Sequence, residues 1–411
     1  MRDMKQITRT SFPRLRYVET LPVVHHDQPF LLLRDPLQLS DRVVLVPADL
    51  APALGLFDGT NEFKDMQDIL ADGYNYHVAQ PDLDELMDTL DAAYLIENDR
   101  SKAAMTEKLE DFRRAPCRPA NLAGSSYPQQ SDELSRLLDG YIDRAGSTDP
   151  VNASIRGLIS PHIDYQRGWR VYAQGWESAR EAARSAELVV ILGTDHYGPD
   201  RYLTLTRQHY ATPFGVLTTP SELVDSLAGA VGPSVAFAGE LYHRGEHSIE
   251  LAAVWLHHVR RGESCEMLPI LCGSFLPYWN GAENIEDDEF LADAIEVLRE
   301  IVNQRKTLIV AAADLSHVGP TFGGKALELP DHARLKLEDE QLIDSICHGD
   351  AETFLDIIMQ SNDRNNVCGV APIYLALKIL APLQGSLLAY EHCPADDEHH
   401  STVSVCSLLL H

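Results

Sequence analysis

From about residue 131 onward the chain repeats one arrangement: a short apolar run, one or two polar residues, then an amphipathic helix. GLIS (157–160), VVILG (189–193), EMLPILCG (266–273) and TLIVAAA (307–313) are such runs, short and bounded by turn residues, and read as buried strands. Around them, SDELSRLLDGYIDRAG (131–146), GWRVYAQGWESAREAAR (168–184), SELVDSLAGA (221–230), SIELAAVWLHHVRR (248–261) and DDEFLADAIEVLREIVNQ (287–304) carry apolar residues at helical spacing. Strands apolar on both faces need helices on both faces, so the alternation predicts an α/β domain with a covered sheet. Two further helices (335–347, 351–359) and PIYLALKILAPL (372–383) precede two closing strands, GSLLAYEHC (385–393) and STVSVCSLLL (401–410). Those two are joined by PADDEHH, which makes part of the sheet antiparallel and the whole sheet mixed. YLTLT (202–206) and GVLTT (215–219) read as strands of a hairpin-like insertion.

Residues 29–100 form a pattern of their own. PFLLLRD and RVVLVP read as strands, followed by helices in ADLAPALGLFDG, TNEFKDMQDILADG and PDLDELMDTLDAA, and a last strand at YLIE. This predicts a small α+β, winged-helix-like domain at 1–110, including an N-terminal tail. KLEDFRRAPCRPANLAGSSYPQQ (108–130) reads as a linker into a second domain at 118–411. A winged-helix order suggests DNA binding, but residues 29–100 hold four Lys/Arg against fifteen Asp/Glu, a net of 4 − 15 = −11. The segment resembles, at the level of pattern, the PqqD-like domains, which bind peptides by adding a strand. The resemblance implies a peptide or protein partner there; a packing or dimerisation role fits the same pattern.

The whole chain has a formal charge of −28, which excludes a phosphate-backbone partner and disfavours an anionic membrane surface. No apolar run is long enough to span a bilayer, and the N-terminus lacks the apolar core of a secretory signal. Seven dispersed cysteines without a C-x-x-C pair fit reduced thiols, so a cytoplasmic protein is expected.

The polar residues fall at strand exits and helix starts, where α/β folds build their sites. His162 follows GLIS; Asp195 and His196 follow VVILG; Asp314 and His317 follow TLIVAAA. Glu246, His247 and Glu250 stand at the start of a helix, and Cys368 just before another. Singly, each has an ordinary reading: a loop histidine, a solvated helix face, a turn cap, a small buried thiol. Their joint occurrence points to a shared site. Two neutral imidazoles and one anionic ligand suit a divalent transition metal: iron with a carboxylate, copper or zinc with the Cys368 thiolate. A zinc hydrolase with Glu250 as base is a weaker reading, because no H-E-x-x-H is present.

The ordered series AGSSYP (123–128), PHIDY (161–165), ILGTDH (191–196), ATPFG (211–215), EHSIE (246–250), ADLSHVG (313–319), CGVAP (368–372) and STVSV (401–405) resembles the Memo family. Bacterial and archaeal members of that family are called AmmeMemoRadiSam system protein B. The resemblance implies a fold like the class III extradiol (LigB-like) dioxygenases, with metal-site residues at His162, His196 and Cys368. It places Asp314 and His317 beside them, and His317 or His247 as acid–base catalyst. It implies iron or copper, with zinc as a further choice, and an oxygenase-type redox reaction. A non-catalytic peptide- or metal-binding protein using the same pocket is the alternative. Companions implied are an AMMECR-type protein and a radical SAM enzyme. Ser126 stands where the family usually has a pocket-lining Trp; Asp164, Tyr165, Glu246 and Glu250 are expected as further pocket wall.

Overall fold

The structure, a computed structural model, describes residues 11–146, 154–198 and 203–411, the Tyr74 side chain excepted. The first ten residues of the expected tail, and Tyr202 of YLTLT, lie outside that range. Two compact units divide the chain, Met1–Arg114 and Ala115–His411.

In the first unit, β1 (Glu19–His25), β2 (Gln28–Arg34) and β3 (Val44–Pro47) form an antiparallel sheet in that order. The helices α1 (Ala51–Leu54), α2 (Met66–Tyr74), α3 (Gln80–Ala92) and α4 (Asp99–Arg114) follow. Leu83, Leu86 and Leu90 of α3 pack with Leu33, Val44 and Val46 of the sheet. Sequence reading overlooked β1, which carries Pro22 and turns into β2 at His26 and Asp27, with φ of 49° and 60°. A two-residue turn with both φ positive suits a hairpin, but it usually announces itself with Asn or Gly. YLIE is not a strand: Leu95 and Ile96 are buried, yet their pairing is a single bridge from Ile96 to Leu15. KLEDFRR, read as linker, is instead the end of α4.

The second unit contains α5 (Ser131–Ala145), β4 (Gly157–Ser160), α6 (Tyr165–Ser178), α7 (Arg180–Ser185) and β5 (Leu188–Thr194). There follow β6 (Leu203–Leu205), β7 (Tyr210–Thr212), β8 (Gly215–Leu217), α8 (Ser221–Val231), α9 (Pro233–Ala236), α10 (Ser248–Val259) and β9 (Glu266–Cys272). Next come α11 (Leu276–Trp279), α12 (Glu289–Gln304), β10 (Thr307–Ala312), β11 (His317–Val318), α13 (Leu329–Cys347) and α14 (Ala351–Ser361). The unit closes with α15 (Val370–Leu380), β12 (Gly385–Pro394) and β13 (Thr402–Leu410). Eight strands make a mixed sheet ordered β11-β13-β4-β10-β5-β9-β6, with β12 paired to β13.

The sheet is covered on both faces, as the alternation predicts. Leu188, Val190 and Leu192 of β5 pack with α8, α12, α14 and α15, while Val189 and Ile191 pack with α6 and α10. The expected hairpin of YLTLT with GVLTT does not form. β6 instead pairs with β9 and forms an edge of the large sheet, and β8 pairs with β7. Among the described residues no helix is long and apolar enough to cross a membrane.

The register decides what meets at the sheet's end. The central strand β10 lies parallel between β4 and β5, with Ala312 opposite both Ser160 and Gly193. His162 and Asp314 therefore stand two residues beyond one aligned level, and His196 three.

Candidate metal centre

His162, His196 and Cys368 each offer a ligand atom, and these atoms lie within 4.8 Å of one another. The first two arrive from the ends of β4 and β5; Cys368 arrives from the turn before α15, on one face of the sheet. Glu246 and His247 arrive at the start of α10, on the other face. Both helices therefore aim their N-termini, with their free N–H groups and positive dipole ends, at the same place. Gly193 and Gly369 permit this approach. A Cβ on Gly193 would stand 2.5 Å from Ile249 Cγ1, and one on Gly369 2.4 Å from the Asp314 carbonyl oxygen.

His162 is buried, and its Nδ1 lies 3.0 Å from the Ala312 carbonyl oxygen. A carbonyl only accepts, so Nδ1 carries the proton and Nε2 is left to the site. Nε2 is 3.4 Å from Cys368 Sγ and 3.8 Å from Asp314 Oδ2. Asp314, also buried, accepts from the His162 backbone N–H at 2.8 Å, which ties the exit of β4 to that of β10. Burial alone would lower the His162 pKa, but Asp314 and Cys368 outweigh it and raise it to about 9. Burial likewise works against the Cys368 thiolate. The charges of His162 and His317, with hydrogen bonds from His162 and His196, hold the thiol well below its ordinary value all the same.

His196 places its Nδ1 3.1 Å from both oxygens of Glu246, and its backbone N–H donates to Oε2 at 3.0 Å. Burial would raise the Glu246 carboxyl, but His196 and His247 outweigh it and hold it well below the carboxylate range. Glu246, His196 and His247 could also be taken for an ion site. The same carboxylate also accepts from the backbone N–H groups of His247 and Ser248, and because an ionised carboxylate only accepts, the contacts to the two Nδ1 atoms read as N–H···O hydrogen bonds. Asp195 shapes the turn, accepting from the N–H groups of Tyr197 and Gly198, and burial pushes its carboxyl up to about 6.

The other expected site residues are spread more widely. The ring of His247 lies 5.4 Å from that of His162 and 4.8 Å from that of His196, centroid to centroid. His317 sits on β11 opposite Val403, its Nδ1 3.2 Å from the Leu315 carbonyl and its ring edge against Phe322. Ser126 is exposed, and Asp164 caps α6 by accepting from the Arg167 N–H. Tyr165 is buried, stacked on Tyr127, and donates to the Leu251 carbonyl.

Glu250 is engaged in the framework. Its carboxylate pairs with the fully buried Arg118 and accepts from the N–H groups of Asn121 and Leu122 and from the Tyr127 hydroxyl. Arg118 also donates to the backbone carbonyls of His243 and Glu246, at 2.6 and 2.7 Å. Sequence reading did not single out Arg118. The signal was there: a glutamate three residues into the wholly apolar stretch SIELAAVWL needs a buried cationic or donor partner.

Residues 118–409 match the family of Memo-like proteins. A protein of Aquifex aeolicus described as a MEMO1 family protein is 23% identical over 382 residues, spanning 92% of this chain and 94% of its own. At that coverage the similarity takes in most of the N-terminal unit as well as the core. A MEMO1 family protein of Nitrosopumilus maritimus is 25% identical over 276 residues, covering 66% of this chain and 90% of its own. One of Thermus thermophilus is 26% identical over 313 residues, covering 76% and 88% respectively.

Proposed function

The chain belongs to the Memo family, and on that premise we propose that it binds a divalent transition metal and uses it in a redox reaction of oxygenase type. The ligands in this reading are Nε2 of His162, Nε2 of His196 and Sγ of Cys368. The observation that carries it is the tautomer of His162. Its Nδ1 proton is committed to the Ala312 carbonyl, which leaves Nε2, 3.4 Å from the Cys368 sulfur, as the nitrogen that would give up its proton to bind a metal. Two imidazoles and one thiolate suit iron or copper, and zinc can also use such a set.

A redox-active ion held there would supply electron transfer and oxygen activation. The chain's own part is to orient the ligands and exclude water. Asp314 holds the His162 segment in place. His247, next to both ligand rings, and His317, on the Cys368 side, are the groups that would hold or move a proton beside the substrate.

The test is metal analysis of protein purified without chelator, alongside His162→Ala and Cys368→Ala. The reading expects loss of bound metal in both variants; full occupancy in both overturns it. A second reading, a binding protein without turnover, draws on the acidic N-terminal unit. Its edge strand β1 exposes Leu21 and Val24. Substrate-dependent oxygen uptake would count against that reading. A co-purifying peptide or protein lost on removal of residues 1–110 would support it.

A further inference from the structure

Glu246 stands behind the ligand cluster, where it binds histidines and backbone and leaves the open side free. It is 1% exposed, in a position where an unpaired charge would be strongly unfavourable. The backbone N–H groups of His196, His247 and Ser248 donate to it at 3.0, 2.7 and 3.0 Å. Nδ1 of His196 lies 3.1 Å from both carboxylate oxygens, and Nδ1 of His247 lies 3.0 Å from Oε1. Its backbone carbonyl is in turn gripped by Arg118 Nη2 at 2.7 Å. The carboxylate is therefore fixed from its own main chain and from every donor around it.

Two imidazoles pinned at Nδ1 by one carboxylate have little choice of orientation. Their rings stack within 17° of parallel, with centroids 4.8 Å apart. Nε2 lies on the opposite side of each ring from Nδ1, so both Nε2 atoms turn away from Glu246. The His162 ring stands edge-on to both, at 5.1 Å from His196 and 5.4 Å from His247.

We infer that Glu246 is a positioning residue that fixes the tautomer and ring plane of two imidazoles at once, His196 as a ligand and His247 as a third imidazole turned toward the cluster. A carboxylate is needed because an acceptor must meet every contact. Glutamine has nearly the same shape, but it offers one oxygen and one NH2. Its NH2 would oppose an Nδ1–H or a backbone N–H, so one imidazole must release its Nδ1 proton or rotate. Aspartate keeps both oxygens but is one methylene too short to reach the two rings together. A ligand histidine that loses its carboxylate partner typically loses about 10–100-fold in metal affinity. That consequence rests on the reading of His196 as a ligand; the tautomer assignment does not.

The experiment has two arms on the full-length protein. The first records long-range proton–nitrogen NMR spectra of 15N-imidazole-labelled, metal-free wild type and Glu246→Gln, with His196 and His247 assigned through single histidine substitutions. Wild type should keep a proton on Nδ1 of both residues, whether or not Nε2 also carries one, and Glu246→Gln should lose it from at least one. An Nε2–H tautomer for either residue in wild type overturns the inference, even if the variant does not fold. A folded variant that keeps both Nδ1 protons also overturns it, including one that melts lower, because that would be a purely structural role.

The second arm titrates Zn(II) against a competing chelator. Glu246→Gln should bind about 10–100-fold more weakly than wild type. Equal affinity overturns the positioning role for the ligand. Wild type that takes up no metal sinks the metal reading instead, and the tautomer arm then decides the inference by itself.

Discussion

Replacing Arg118 by methionine removes one half of a buried ion pair whose members are 0% and 1% exposed. Glu250 would keep the N–H groups of Asn121 and Leu122 and the Tyr127 hydroxyl, but its charge would have no cation. The carbonyls of His243 and Glu246 would also lose their donor. Removing one partner of such a pair destabilises by roughly 3–5 kcal/mol, chiefly because the remaining charge is buried without compensation. For a domain of this size about 2 °C of melting temperature accompanies each kcal/mol, so the larger unit should melt roughly 6–10 °C lower. Denaturant unfolding followed by tryptophan fluorescence gives the same quantity, because Trp176 and Trp255 are buried in this unit. Glu250→Leu alone should be similarly destabilised. The double variant Arg118→Met/Glu250→Leu should lose less than the sum of the two, because neither charge is then stranded. Losses below about 1 kcal/mol for Arg118→Met, or strict additivity in the double variant, would refute the claim that one buried pair fastens the 118–127 loop to α10.

Three further outcomes follow from particular contacts. His243 is buried between the Tyr210 hydroxyl, which donates to Nδ1, and the Thr204 carbonyl, which accepts from Nε2, and burial lowers its pKa to about 3. The unfolded chain takes up that proton near pH 6.5 and the folded chain does not, so stability should fall as pH drops from 6.5 toward 3, by at most about 1.4 kcal/mol per pH unit. His243→Gln should flatten that slope between pH 6.5 and 4.5 in denaturant titrations. Gly369→Ala should weaken metal uptake with little change in the amount of helix, because its Cβ would press on the Asp314 carbonyl and the Ala313 side chain and displace the Cys368 turn; chelator competition and circular dichroism check both halves. Gly193→Ala should destabilise by roughly 1–3 kcal/mol through overpacking against Ile249 and Ser248, as read by thermal unfolding.

The α/β architecture was legible because strands buried on both faces are apolar throughout, and β5 is buried at every position. The place of the site was legible for a related reason. His162, His196, Asp314 and Cys368 stand where apolar runs end, and chains in covered sheets gather their polar groups there. Pairing order was not, since nothing local says that β10 inserts between β4 and β5 and so aligns Ala312 with both Ser160 and Gly193. The division of labour among the acids was hidden as well. Glu246 and Glu250, one helical turn apart, read alike in sequence, yet one carboxylate holds imidazoles and the other answers a buried arginine. β1 escaped notice because its turn uses His26 and Asp27 and its strand contains Pro22. α4 was missed, and its end taken for linker, because a solvated helix rich in charge looks like linker when its apolar stripe is thin.

The central claim is that His162, His196 and Cys368 hold one metal ion between them. It is tested most directly by a crystal structure of metal-loaded protein, with anomalous difference maps at the iron, copper and zinc edges. One peak is expected, about 2.0–2.1 Å from Nε2 of both histidines and about 2.3 Å from Cys368 Sγ if the ion is zinc. A peak elsewhere, or one bound by the histidines with Cys368 turned away, would contradict it.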